Sequence, residues 1–275
     1  LSEFLRKYQD NPLSHRPRKR FGQNFLHDAG VVARIAAAID PRPGEHLVEI
    51  GPGLGALTEV LLPQVGEMDV IELDRDLIPR LSRLCGVLGE LRIHAADALK
   101  FDFASLAADG RPLRIVGNLP YNISTPLMFH LLASRALIRD MHFMLQKEVV
   151  ERLAAPPGSR DYGRLSVMMQ YHCKVEALFR VPPGAFNPPP KVESAVVRLT
   201  PWVEPPVAVR DPAWLERVVT QAFAQRRKTL RNTLKELLQP EALQALGIDP
   251  TRRAETLTLA EFAALADAAA AVGSA

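Results

Sequence analysis

The sequence predicts an α/β fold: a mostly parallel sheet with helices on both faces, followed by a small all-helical C-terminal domain. Three observations carry this. Short apolar runs of strand length alternate with segments of helical period from residue 28 to about residue 150. The first of those runs ends in a cluster of glycines, which suits a tight passage from a parallel strand into a helix. Beyond residue 205 the strand signals cease, and apolar residues recur at three-, four- and seven-residue spacings.

Taken in order, residues 1–20 are polar, basic and aperiodic, and read as an arm. Asp28 is a suitable N-cap for a helix carrying Val31, Ile35 and Ile39, and Pro41-Arg42-Pro43-Gly44 stops that helix. Leu47–Ile50 reads as a buried first strand, Gly51–Gly55 as a turn and Ala56–Leu62 as the start of a helix. Met68–Leu73 is the second strand and Leu77–Leu84 a helix, with Asp74 and Asp76 as its expected caps. Leu91–Ala95 and Leu113–Val116 are the third and fourth strands, Thr125–Leu132 a helix and Met141–Leu145 a fifth strand. Tyr171–Phe179 and Ser194–Leu199 read as later strands on either side of a proline-rich loop from Val181 to Pro190. Pro201–Pro206 reads as a linker. The chain is helical from Pro212 and ends in an alanine-rich helix from Thr258 to Ala270.

A length of 275 residues suits one large α/β domain with a small companion, and the 47% hydrophobic and 24% charged content is ordinary for a globular protein. No apolar run reaches the roughly 20 residues that span a membrane, and residues 1–20 lack the apolar core of a signal peptide. Cys85 and Cys173 are far apart, and the seven histidines are scattered. A structural metal or a disulfide framework is therefore not expected, and the cytoplasm is the default location. The net charge is only +3, yet the basic residues cluster, in His15–Arg20 and in Arg226-Arg227-Lys228 with Arg231 and Lys235. Such clusters suit a polyanion such as nucleic acid, although a solvated face would look the same.

The first strand ends in Glu49-Ile50-Gly51-Pro52-Gly53-Leu54-Gly55. Gly51 and Gly53 let backbone approach a nucleotide, and Glu72 at the end of the second strand, about 20 residues further on, is placed to hold ribose hydroxyls. Gly51, Gly53 and Ala56 also satisfy the loose dinucleotide pattern, but Glu49 would repel a pyrophosphate and would suit a sulfonium and an amino group. The reading therefore tilts towards S-adenosylmethionine. Asp97, just past the third strand, is placed either to accept from an adenine amino group or to cap a turn.

The fourth strand runs into Gly117-Asn118-Leu119-Pro120-Tyr121-Asn122. An adenine N6 amino group is a poor nucleophile, because its lone pair is delocalised into the ring. Acceptors aimed at both N–H bonds draw the nitrogen towards a tetrahedral geometry. The Asn118 side-chain carbonyl and the Leu119 backbone carbonyl can serve as that pair, Pro120 stiffens the turn, and Tyr121 offers a stacking face for an extruded base. Positioning then carries most of the rate, and no metal is called for. Phe186, on the proline-rich loop, either closes the opposite face of the base or anchors the loop on the sheet.

Phe21-Gly22-Gln23-Asn24-Phe25-Leu26, the Glu49–Gly55 turn, Ile71–Asp76, Asn118–Pro126 and Phe186–Ser194 occur in this order. Together they resemble the ribosomal RNA adenine dimethyltransferases, in particular the bacterial small-subunit branch linked to kasugamycin sensitivity, over residues from about 15 to 235. The resemblance implies a Rossmann-like class I methyltransferase fold. It also implies N6,N6-dimethylation of two adjacent adenines in a hairpin near the 3′ end of 16S ribosomal RNA. By the same resemblance, Asn24 and Leu26 would contact the cofactor, Gly51 its amino-acid part, Glu72 the ribose and Asp97 the adenine, while Asn118 would bridge cofactor and target amine.

The implied partner is 16S ribosomal RNA within the 30S subunit or its precursor, met by a monomeric protein. Arg18, Lys19 and Arg20 of the arm, with Arg227, Lys228, Arg231 and Lys235, are the expected RNA contacts. Arg227, Arg231 and Lys235 fall at i, i+4 and i+8 and are expected to share one helical face. The expected domains are a basic arm (1–20), a catalytic domain (21–204) and a helical RNA-binding domain (205–275). A DNA adenine methyltransferase would need a larger recognition domain. An assembly factor acting mainly by binding 30S particles would share every motif, and a nicotinamide oxidoreductase would leave Asn118–Tyr121 unexplained.

Overall fold

A computed structural model describes residues 22–273, so the expected arm, with Arg18, Lys19 and Arg20, lies outside the described residues. The chain divides into two units, one of residues up to Val150 with Glu176–Pro201, the other of Glu151–Val175 with residues from Trp202 onward.

The first unit opens with a short strand, β1 (Phe25–Leu26), and helix α1 (Ala29–Ile39). Asp28 caps α1 as its position predicts, accepting from Val31 N at 2.9 Å. Val31, Val32, Ile35 and Ile39 form the buried stripe of α1. Strand β2 (His46–Ile50) is buried at every residue, as a central parallel strand with both faces covered must be. Then follow α2 (Thr58–Val65), β3 (Glu67–Ile71), α3 (Ile78–Cys85), β4 (Glu90–His94), β5 (Leu113–Asn118), α4 (Ser124–Ala133) and β6 (Ile138–Gln146). α5 (Lys147–Leu153) and α6 (Arg164–His172) lead into β7 (Cys173–Val181), β8 (Phe186–Asn187) and β9 (Ser194–Pro201). The sheet order is β4-β3-β2-β5-β6-β9-β7, while β1 pairs separately with β8. The pairs from β4 to β6 are parallel, and β9 runs antiparallel to β6.

Two differences from the sequence reading concern local structure. Tyr171 and His172 end helix α6 rather than begin a strand. The N-cap position of α3 falls at Leu77, which makes no side-chain cap bond, rather than at Asp74 or Asp76. Asp74 Oδ1 instead accepts from Asp76 N at 3.3 Å within the preceding turn.

Two arginines, the buried Arg114 and the half-buried Arg198, receive the C-terminal end of α1. Arg114 on β5, 4% exposed, makes a forked pair with Asp140 opposite it on β6 (Nε–Oδ1 3.0 Å, Nη2–Oδ2 3.0 Å). It also donates to Ile39 O at 2.6 Å and pairs with Glu45. Arg198 on β9 donates to Ala38 O at 2.7 Å and to His142 Nε2 at 2.9 Å. The last-turn carbonyls of α1 thus find donors, and positive charge meets the negative end of the helix dipole.

The second unit continues with α7 (Pro212–Ala222), α8 (Leu230–Thr233), α9 (Pro240–Ala245) and α10 (Leu259–Gly273). Asp211 caps α7 by accepting from Ala213 N at 2.9 Å, with Pro212 at the first helical position. Thr258 and Glu261 exchange bonds at the start of α10, with Glu261 Oε2 accepting from Thr258 N (2.7 Å) and Thr258 Oγ1 accepting from Glu261 N (3.2 Å). Residues 151–175, which the sequence reading attached to the catalytic domain, pack in this unit. Tyr162 meets Phe223 edge-on at 6.2 Å, and Gly158 N donates to Glu255 O at 2.7 Å.

The helix expected to carry Arg227, Arg231 and Lys235 on one face is broken. α7 ends at Ala222, and α8 is only four residues long. The N–H groups of Leu230 and Arg231 are bonded to the carbonyls of Arg252 (2.8 Å) and Pro250 (3.0 Å), so they cannot bond back along a helix. Arg227, Arg231 and Lys235 therefore do not share one helical face. Arg227 and Lys228 lie in the turn before α8, Arg231 on α8, and Lys235 in the turn after it, all exposed.

Candidate active site

A cavity opens in the first unit beyond the C-terminal ends of β2, β3, β4 and β5, where ligands of open parallel sheets bind. Its lining includes Gly22–Leu26, the glycine turn, Glu72, Asp97 and Asn118–Ile123.

The glycine turn owes its shape to two close approaches. Gly53 has φ +59°, and a Cβ there would come within 3.1 Å of the Phe25 ring. Gly117 lies so close to the end of β2 that a Cβ would stand 2.6 Å from the Ile50 carbonyl oxygen. A larger residue at Gly53 would displace the Phe25 ring, and one at Gly117 would push the ends of β2 and β5 apart. Gly51, also in the lining, donates to Ile71 O at 2.9 Å and so ties β2 to β3 at the cavity.

Three carboxylates line the cavity, and among the described residues its lining contains no lysine, arginine or histidine. Glu72, 6% exposed, has both oxygens held by backbone donors: Asp74 N at 2.8 Å and Gly53 N at 3.1 Å. Burial raises its pKa, the backbone donors of Asp74 and Gly53 oppose that rise, and the nearby Asp74 charge adds to it. Glu49, 2% exposed, accepts from Thr58 Oγ1 at 2.6 Å. Burial pushes its carboxyl up to about 7, against the Thr58 bond and with the help of the Glu72 charge. Asp97 accepts from Leu99 N at 3.0 Å, so it does cap the turn after β4 while also lining the cavity. A basin of buried acids without cations repels phosphate and favours a positively charged ligand.

Asn118, Leu119, Pro120 and Tyr121 all reach the cavity. Asn118 Nδ2 donates to the backbone oxygen of Asn24 at 3.0 Å, which orients the amide with Oδ1 as its acceptor. Leu119 is 1% exposed, and its N–H is bonded to Met144 O at 3.2 Å, so the loop is fixed to β6. The half-buried Tyr121 ring is pinned through its hydroxyl, 2.8 Å from Ser194 Oγ, and burial raises the phenol pKa.

Asn24 lines the cavity beside Asn118, with Nδ2 donating to Gly22 O at 3.3 Å. Leu26 lines it too, but its side chain is 5% exposed and belongs to the core. Phe186 is brought elsewhere. Its ring is 2% exposed and packed in the same core cluster, its backbone pairs with Leu26, and it is not part of the cavity lining. It anchors the proline-rich loop rather than facing a base. The β1–β8 ribbon draws it inward.

Sequence reasoning missed Gln23, Thr58, Leu73 and Ser194. Leu73 is half exposed beside Glu72 and offers an apolar surface inside the cavity. An apolar residue between two acids at a strand end is a signal that was available. Thr58 and Ser194 act only through tertiary contacts, and nothing local marks them.

A parallel sheet with β9 inserted antiparallel, a glycine turn at β2 and a cation-favouring cavity at the strand ends define a class I methyltransferase. The family model for ribosomal RNA adenine dimethylase matches residues 14–271. A ribosomal RNA small subunit methyltransferase A from Pseudomonas aeruginosa is 66% identical over 253 residues, covering 92% of this chain and 94% of the relative. The enzyme of the same name from Pseudomonas putida is 62% identical over 253 residues, covering 92% of this chain and 95% of the relative. Among solved structures, a dimethyladenosine transferase from Plasmodium falciparum superposes with a TM-score of 0.76 at 27% identity, covering 88% of this chain and 95% of that one. The 23S rRNA methyltransferase ErmE gives 0.69 at 25% identity, covering 89% and 99%. The chain belongs to the ribosomal RNA adenine dimethylase family.

Proposed function

We propose that this chain is an S-adenosylmethionine-dependent enzyme that dimethylates N6 of two adjacent adenines near the 3′ end of 16S ribosomal RNA. It would act as a monomer in the cytoplasm, on the 30S subunit or its precursor. The observation that carries this reading is the meeting of the acid-lined, cation-free cavity with the Asn118–Tyr121 loop in one space. A dinucleotide would find no partner for its pyrophosphate there, whereas a ligand bearing a sulfonium and an ammonium group suits buried carboxylates. That ligand supplies an electrophilic methyl group.

The protein's part is orientation. Glu72, held from both sides by backbone donors, receives the ribose hydroxyls, and Glu49 faces the cationic end. Asp97 keeps one carboxylate oxygen for the turn and offers the other to the cofactor's adenine. Asn118 Oδ1 and the Leu119 carbonyl accept the two N–H bonds of the target amine, and the pinned Tyr121 ring stacks on the extruded base. The test is transfer of labelled methyl to 30S particles lacking adenine dimethylation, with mapping of the modified bases. Label at N6 of two adjacent 3′-end adenines supports the reading. Binding to 30S without label leaves an assembly factor, and label in duplex DNA leaves a DNA enzyme.

Cofactor affinity will depend on pH through Glu49. In the unliganded protein the buried carboxyl is protonated below about 7. A cation beside it favours the ionised form, so binding releases a proton. Affinity for S-adenosylhomocysteine, which keeps the ammonium group, is expected to rise about tenfold per pH unit up to that value and to level off above it. Calorimetry in buffers of different ionisation enthalpy measures the released proton, and Glu49→Gln should flatten the profile. A profile unchanged by Glu49→Gln would assign the linkage to another group.

The exposed cations Arg227, Lys228, Arg231 and Lys235 are proposed as phosphate contacts, presented from α8 and its flanking turns. Each alanine substitution is expected to weaken 30S binding and to reduce the slope of log affinity against log salt by about 1. Unchanged slopes in all four variants would make these residues a solvated face.

A further inference from the structure

Gln23 lines the cavity and joins two parts of the site that do separate jobs. Its Nε2 donates to Asp74 Oδ2 at 3.0 Å. Asp74 is 1% exposed, and its own N–H fixes one oxygen of Glu72 (2.8 Å) while Gly53 N fixes the other (3.1 Å). The next residue in the chain, Asn24, accepts from the Asn118 amide through its backbone oxygen at 3.0 Å. Two consecutive residues are thus bonded to the carboxylate turn after β3 and to the amide at the end of β5. The far end of the segment is secured independently, by pairing of Leu26 with Phe186 and by His27 N donating to Ala185 O at 3.0 Å. Gln23 is therefore an anchor at the near end.

We propose that Gln23 is a positioning residue, a latch that holds residues 22–26 to Asp74 and so keeps Glu72 and Asn118 in register. The inference rests on the methyl-transfer reading above. An amide is the side chain that suits this place. A carboxylate would add a third acid beside Asp74 and Glu72, and an ammonium would bring a cation into a cavity built to receive one. A neutral N–H donor satisfies the buried Asp74 oxygen and leaves the charge of the cavity unchanged.

The test is Gln23→Ala in the full chain, with S-adenosylhomocysteine binding by calorimetry, kcat and KM for methyl transfer to 30S particles, and amide hydrogen exchange over residues 24–26. The latch predicts affinity about tenfold lower or worse, a lower kcat at saturating cofactor, and faster exchange at 24–26. In a double-mutant cycle with Asp74→Ala, the two losses should not add, because each removes the same contact. Unchanged affinity and kcat, or fully additive losses, would overturn the proposal. So would a loss confined to melting temperature, with kcat and KM unchanged. If Gln23→Ala does not fold, Gln23→Glu, of the same size but repelled by Asp74, should shift the same quantities in the same direction. A wild-type chain that fails to bind S-adenosylhomocysteine would count against the methyltransferase reading, and exchange at 24–26 would still decide the latch.

Discussion

Asn118→Ala will lower kcat for methyl transfer by about 10²–10³-fold, equivalent to about 3–4 kcal/mol of barrier, the range seen when one preorganised polar group is removed from a reacting centre. The expectation follows from how the side chain is held. Its Nδ2 is committed to Asn24 O at 3.0 Å, so the amide cannot turn over, and Oδ1 stays the acceptor for the target N–H. Removing it leaves the nitrogen lone pair in the ring and removes one anchor of residues 22–26. Affinity for S-adenosylhomocysteine should fall far less than kcat, because Glu72 and the glycine turn keep their own backbone bonds. Asn118→Asp keeps an acceptor but sets a carboxylate against the Asn24 carbonyl, so it should also be slow. Single-turnover transfer beside calorimetry separates the effects. A raised KM with unchanged kcat would reduce Asn118 to a binding residue. Binding to 30S particles should survive the alanine change, since the proposed phosphate contacts lie in the other unit.

Arg114→Ala will destabilise the protein by about 3–5 kcal/mol, the usual cost of removing one partner of a buried ion pair. The guanidinium serves the Asp140 fork, Glu45 and the last carbonyls of α1 together. Its removal strands a buried carboxylate and uncaps the helix in one step. Chemical denaturation measures the loss. Arg114→Met combined with Asp140→Leu should recover much of it, because neither charge is then left buried alone. A loss below about 1 kcal/mol would mean that water replaces the guanidinium freely.

Much of the fold and of the site is legible in the sequence, where local physics decides. The alternation of apolar runs and helical stripes placed β2–β6 and α1–α4 with ends within about three residues, because a strand buried on both faces has few other compositions. The site's chemical groups were legible for a related reason. Glycines required by close backbone approach, an acid one strand further on and an Asn-Leu-Pro-Tyr turn all sit at strand ends, where sequence order and spatial order agree. The resemblance to a known family rests on those same stretches.

Tertiary structure decided what contacts across the chain control. Phe186 reads as a loop aromatic, but β1–β8 pairing turns it into the core. The basic residues from Arg227 to Lys235 have helical spacing, but the 250–252 turn takes the N–H groups that a continuous helix would need. Residues 151–175 carry no local mark of the unit they join. Gln23, Thr58, Ser194 and Arg114 matter only through partners between 9 and 75 residues away in sequence or through the elements they tie together. By itself the sequence determined the fold class and the cofactor type and pointed to the Asn118–Tyr121 loop proposed as the reacting one, since those depend on backbone reach and local chemistry. Only the tertiary structure decided which side chains face the cavity and what holds them there. Burial and hydrogen-bond competition are settled between distant segments, not within them.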